Sequence, residues 1–162
     1  MGQNALFHLA GLKVVNHFCG GLMPMLELVV ESGADGLETM TPPAMGGDCD
    51  LREASRRVGA RLFFLGGFDQ NAGFESGTPA AARRLVFECF EATRDHAGYI
   101  LCPSDHFFRG DPACLQAFAD AYNQMVPAVR GYTTQAVRGG AGTGGTLGVQ
   151  GSKNAGSTPD SK

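Results

Sequence analysis

Apolar and polar positions along the chain alternate in a repeating order. A short apolar run ends in a polar, glycine-loosened break, and an amphipathic stretch closed by glycine follows. The first run, Val14-Val15-Asn16-His17-Phe18-Cys19-Gly20-Gly21, predicts a buried strand ending in a turn. Residues 22–32 are apolar without an interior glycine, with Pro24 in the first turn and Gly33 as a stop, and predict a helix. Residues 34–39 predict a short strand that ends in the loop 41–47. Asp48 or Asp50 can cap the next helix, 51–58, which Gly59 stops. The continuous apolar run 61–67 predicts a strand buried on both faces. After a polar loop over 68–77, Thr78 as cap and Pro79 at the first helical position open an amphipathic helix over 80–94. Residues 98–102 form the fourth predicted strand, with 103–106 as its terminal loop, and Asp111-Pro112 opens a last helix through Leu115, Phe118 and Tyr122.

Strand followed by helix, four times over with short connections, implies an α/β fold with a parallel sheet and right-handed crossovers. The pattern ends near residue 131. Residues 131–162 hold 9 of the 24 glycines and no Phe, Met, Cys or Ile, so they cannot bury enough apolar area to offset ordering entropy. The expected organisation is one domain over 1–130 and a disordered Gly/Ser/Thr-rich tail over 131–162.

Composition narrows the function classes. A net charge of -3 and the lack of a basic cluster with interleaved aromatics argue against a nucleic-acid partner. No apolar run is long enough to span a bilayer, and the N-terminus lacks a signal-peptide pattern. Five cysteines, an odd number without framework spacing, suit a reducing compartment. A cytoplasmic protein without membrane contact is the expectation.

In parallel α/β folds the working groups collect at the carboxyl ends of strands. Here the first strand ends in His17 and Cys19, the second in Glu38, the third in Asp69 and Gln70, and the fourth in Asp105 and His106. Strand alternation puts His17 and Cys19 on one face, an imidazole beside a thiol. That pair is either half of a tetrahedral zinc site or, as the residues taken alone favour, a small buried cysteine beside a hydrogen-bonded histidine. Turn and cap preference accounts for Asp69 well and for Glu38 poorly. Cys49, Cys89 and Cys114 lie away from the strand ends and are expected to be structural; His8 and His96 are expected at the surface or in caps.

Five motifs occur in order: His17-Phe18-Cys19-Gly20-Gly21, Gly33-Ala34-Asp35-Gly36-Leu37-Glu38, Gly66-Gly67-Phe68-Asp69-Gln70, Gly77-Thr78-Pro79, and the run from Gly98 through Cys102-Pro103-Ser104-Asp105-His106. Together they resemble the C-terminal half of the uroporphyrinogen decarboxylase (URO-D) superfamily, over roughly residues 10–125. That superfamily includes the zinc-dependent methylcobamide:coenzyme M methyltransferases. The resemblance implies a partial (β/α)8 TIM barrel of four C-terminal βα units. A His-x-Cys at this strand end marks the methyltransferase-like branch, which implies zinc on His17 and Cys19. The family's third ligand is a cysteine where this chain has Asp105, a harder ligand, with Cys102 and His106 close enough to replace it.

The implied activity is methyl transfer between a corrinoid and a small-molecule thiol, with zinc held by His17, Cys19 and Asp105. Glu38 and Gln70 would orient the substrate, with Asp69 and His106 as further catalytic candidates. The alternative is decarboxylation of a tetrapyrrole, to which Asp105-His106 is also suited. The decarboxylase's catalytic aspartate and arginines belong to the N-terminal half, outside the resemblance. A third expectation is an inactive fragment or subunit. A half-barrel leaves interior positions at or near Val14, Leu37, Phe64 and Ile100 facing water, so a homodimer or a separate N-terminal half-barrel subunit is expected.

Overall fold

The computed structural model describes residues 2–96 and 98–130, all within one compact unit, Met1–Tyr132. The expected tail, 131–162, lies outside the described residues. The elements in order are α1 (Gln3–Leu9), β1 (Val15–His17), α2 (Leu26–Glu31), β2 (Gly36–Glu38), α3 (Leu51–Val58), β3 (Phe63–Phe68), α4 (Pro79–Ala92), β4 (Tyr99–Pro103) and α5 (Pro112–Arg130). The four strands form one sheet in the order β1-β2-β3-β4, every neighbouring pair parallel. The fold is therefore α/β with a parallel sheet, as the pattern predicts. Among the described residues no helix is long and apolar enough to cross a membrane.

Local chemistry sets most boundaries. Asp50, rather than Asp48, caps α3 by accepting from the Glu53 N–H at 3.0 Å. Asp48 instead accepts from the Leu22 N–H at 2.7 Å, at the start of the turn leading into α2. Thr78 caps α4 through the Ala81 N–H, with Pro79 as its first residue. The predicted helix over 22–32 splits, because its proline end, Met23–Met25, takes the tighter 3-10 form before α2 begins. The loop after β3 contains a π-helical turn, Asn71–Glu75.

A parallel register places Asn16, Leu37, Phe64 and Tyr99 in one row. Leu37 and Phe64 are fully buried in a cluster with Leu26 and Val29 of α2 and Ala54 and Val58 of α3. At about 1.5–3 kcal/mol for each large side chain removed from water, this layer and a second cluster around Phe68, Phe74 and Val86 support the fold. Two expectations fail. Leu37 and Phe64 do not meet water, because the helices cover their face. Nor is β3 buried on both faces: Phe63 and Leu65, which alternate with the buried positions, are only half-buried. The uncovered face carries those two residues with Val15, 39% exposed, and Ile100, 53% exposed. Gly36 accommodates Phe63 on the neighbouring strand, since a Cβ there would lie 2.7 Å from the ring.

Asp35, just before β2, fastens the N-terminal segment to the sheet. Its carboxylate accepts from Lys13 Nζ and the Val14 N–H and meets His8 Nε2, each at 2.8 Å. Chiefly the Lys13 hydrogen bond, then those from Val14 and His8, hold its carboxyl far below the usual carboxylate range. A group depressed in the folded state stabilises the protein above its unfolded pKa and loses that contribution as pH falls toward the folded value. Asp35→Asn is expected to lower the melting temperature at neutral pH and to flatten its decline below about pH 4. Thermal melts across that range test this, and parallel acid limbs in the two proteins would dismiss the clamp.

Candidate metal centre

β1 ends at His17, and Gly20 and Gly21, the latter at φ 60, then take the chain out of the sheet. Phe18 packs into the core, so the flanking His17 and Cys19 both face outward and are exposed. His17 Nε2 lies 2.9 Å from Cys19 Sγ. The other ring nitrogen, Nδ1, faces Glu38 Oε2 at 3.4 Å. That contact follows from the register, which pairs His17 directly with Glu38. A carboxylate at Nδ1 favours the tautomer whose Nε2 lone pair is directed at the thiol.

The fourth strand end lies close to the same groups. Burial first, and then the nearby Glu38 charge, push the Cys102 thiol up. Asp105 accepts from the His106 N–H at 2.7 Å and meets His106 Nδ1 at 2.6 Å. These hydrogen bonds, and then the charges of His106 and His17, hold the Asp105 carboxyl below its ordinary value. Among the described residues, however, no three His, Cys, Asp or Glu side chains converge on a common point for a metal ion. The structure sets His17 between Cys19 and Glu38, one at each ring nitrogen, and leaves Asp105 turned to its neighbour His106.

The imidazole of His17 and the thiol of Cys19 are donor types that zinc takes. A nitrogen at about 2.1 Å and a sulfur at about 2.3 Å from a tetrahedral ion lie roughly 3.5 Å apart. His17 and Cys19 must therefore part by about half an ångström, which two exposed side chains allow. Asp105, with 54% of its side chain exposed, would have to give up both His106 contacts to act as a third donor.

Gln70 and Asp69 are occupied by the scaffold. Gln70 is 3% exposed. Its Oε1 accepts from the Ser104 and Asp105 N–H groups at 3.1 and 3.3 Å, and its Nε2 donates to the His106 carbonyl at 3.3 Å. It thus sets the course of the loop that carries Asp105. Asp69 accepts from the Ala72 N–H at 2.9 Å, which ties the end of β3 to the π-helical turn. Of the remaining cysteines, Cys49, Cys89 and Cys114 are buried, and burial pushes Cys49 up to about 12 and Cys89 up to about 11. His8 is the exposed partner of Asp35, whereas His96 is half-buried with its ring 4.3 Å from that of Phe64.

Two contributors escape sequence reasoning. Glu75 accepts from the Phe108 and Arg109 N–H groups at 2.7 and 3.0 Å, fixing the far side of the β4 loop. Thr39, directly after Glu38, adopts φ 79, which for a β-branched residue carries strain of about 1–3 kcal/mol. A hint of the second was present in Gly66-Gly67, since paired glycines inside a strand mark the close approach of another backbone. An open groove of about 520 Å³ between α3 and α4 is lined by Arg52, Arg83, Arg84 and Glu88, and there Arg84 pairs with Glu88 at 3.2 Å. No protein-family model matches this chain, and no curated protein matches it.

Proposed function

We propose that residues 1–130 form the C-terminal half of a URO-D-type (β/α)8 barrel and serve a zinc-dependent methyltransferase that moves a methyl group between a corrinoid and a thiol. The observation that carries this is the His17 Nε2–Cys19 Sγ pair at 2.9 Å, with Glu38 behind Nδ1. Metal-binding histidines commonly hand their second ring nitrogen to a carboxylate, which fixes the tautomer and raises ligand basicity. His17 and Cys19 would hold the ion, with Asp105 as third donor once it leaves His106. Zinc bound there would supply the Lewis acidity that makes a thiol nucleophilic at neutral pH. Glu38 orients His17, and Gln70 holds the Asp105 loop in place. Strand order β1-β2-β3-β4, parallel and without reversal, supports a barrel segment over a doubly wound sheet.

Decarboxylation of a tetrapyrrole is the weaker reading, because it relies on cationic groups around the substrate carboxylates. The four strand ends instead carry His17, Glu38, Asp69 and Asp105. A cytoplasmic setting agrees with free thiols, among them the exposed Cys19. In protein loaded with cobalt(II), a small thiol is expected to strengthen the sulfur-to-metal absorption band, and His17→Ala is expected to abolish it. A spectrum indifferent to thiols would overturn the thiol-activating role.

A further inference from the structure

We infer that Thr39 is a positioning residue for the His17–Cys19 pair, an inference that rests on the metal-site reading above. Thr39 is 5% exposed and stands at φ 79, followed by Met40 at φ 47; among the described residues these are the two non-glycine positions with positive φ. A β-branched residue in this region is a true outlier, and glycine or asparagine would adopt it more easily. What the conformation achieves is visible in its partners. Thr39 Oγ1 donates to the carbonyl of Phe18, the residue between His17 and Cys19. The Thr39 carbonyl accepts from the Gly67 N–H at 3.0 Å. Gly66 permits that approach, since a Cβ there would lie 2.2 Å from the Thr39 oxygen.

The location explains why a side chain is needed. The β1–β2 register ends at His17 and Glu38. One residue later the β2 backbone has turned left-handed, so the regular parallel ladder stops while the His-x-Cys segment still runs on toward Gly20 and Gly21. The Thr39 hydroxyl supplies a bond across that gap. It ties the peptide carrying both donors to β2, and through the Gly67 bond to β3. Without it, this stretch of backbone is anchored only by the packing of the Phe18 ring, and the separation of nitrogen and sulfur is held less tightly.

Three variants test this: Thr39→Val, which keeps the shape and loses the hydroxyl; Thr39→Ser, which keeps the hydroxyl; and Thr39→Gly, which removes both the hydroxyl and the backbone strain. Zinc affinity by chelator competition is expected to fall about tenfold or more in the Val and Gly variants, and to be retained in Ser. Thr39→Gly should melt no lower than Thr39→Val while binding equally poorly, which separates positioning from stability and keeps the test available if Val fails to fold. A second arm needs no metal. The iodoacetamide alkylation rate of Cys19 in zinc-free protein is expected to differ from wild type in Val and Gly, and to match it in Ser. Zinc uptake by wild type with unchanged affinity and alkylation in all variants would overturn the role of Thr39 and leave the metal site standing. Absence of zinc uptake by wild type would overturn the metal site, and the alkylation arm would then decide Thr39 by itself.

Discussion

Replacing Cys19 by Ser is expected to remove stoichiometric zinc from the purified protein, from about one ion per chain to near none. Zinc prefers thiolate and imidazole, and a serine hydroxyl is neither soft nor ionised at neutral pH. His17 and Cys19 are the two donors already adjacent, at 2.9 Å, while Asp105 has still to turn from His106. Losing one of the pair therefore leaves a single preformed ligand. The same change should barely move the melting temperature, because Cys19 is exposed and surface substitutions usually cost within about 0.5 kcal/mol. Metal analysis beside a thermal melt reads both quantities. Full zinc content in Cys19→Ser would sink the site, and a joint loss of zinc and fold would reassign Cys19 to the scaffold.

The 162-residue chain in isolation is expected to self-associate and to lack methyl-transfer activity of its own. On the face of the sheet turned from α2 and α3, Val15 and Ile100 are 39% and 53% exposed, with Phe63 and Leu65 half-buried beside them. Covering such side chains is worth about 1.5–3 kcal/mol each, so four of them provide a considerable drive to associate. β1 and β4 are also edges, with backbone groups available to pair with another chain. A second copy related by a two-fold axis would set β4 of one beside β1 of the other, and eight strands is the number whose interior side chains can fill. Leu6, Leu9 and Leu12, in the segment leading into β1, are all more than half exposed and add to the apolar surface. Light scattering is expected to report a dimer or larger, and Ile100→Lys with Val15→Lys to shift it toward monomer. A soluble monomer active in methyl transfer would refute the expectation.

The alternation of apolar runs with capped amphipathic stretches determined the four strand–helix units by itself. The information is local: Asp50, Thr78 and Pro79 satisfy or pre-empt backbone donors within a turn of their own position, so they can be read without the rest of the chain. The side-by-side placement of His17 and Cys19 was legible for a related reason, since strand alternation alone puts them on one face. α1 was not foreseen, because its residues bury nothing and the helix is held by distant partners, Ser32 for Asn4 and Asp35 for His8.

Only the tertiary structure decided which face of the sheet is covered. Continuous apolar runs such as 61–67 look alike whether one side or both are packed, and Leu37 and Phe64 owe their burial to α2 and α3 rather than to their own neighbours. It alone also decided the working partners of the polar groups. Gln70 reaches 34 to 36 residues ahead to Ser104, Asp105 and His106, Glu38 meets His17 across two strands, and Thr39 holds Phe18 from a conformation its own side chain disfavours. Contacts of that separation depend on register and crossover, which are settled by the packing of whole elements and not by the identity of any one residue.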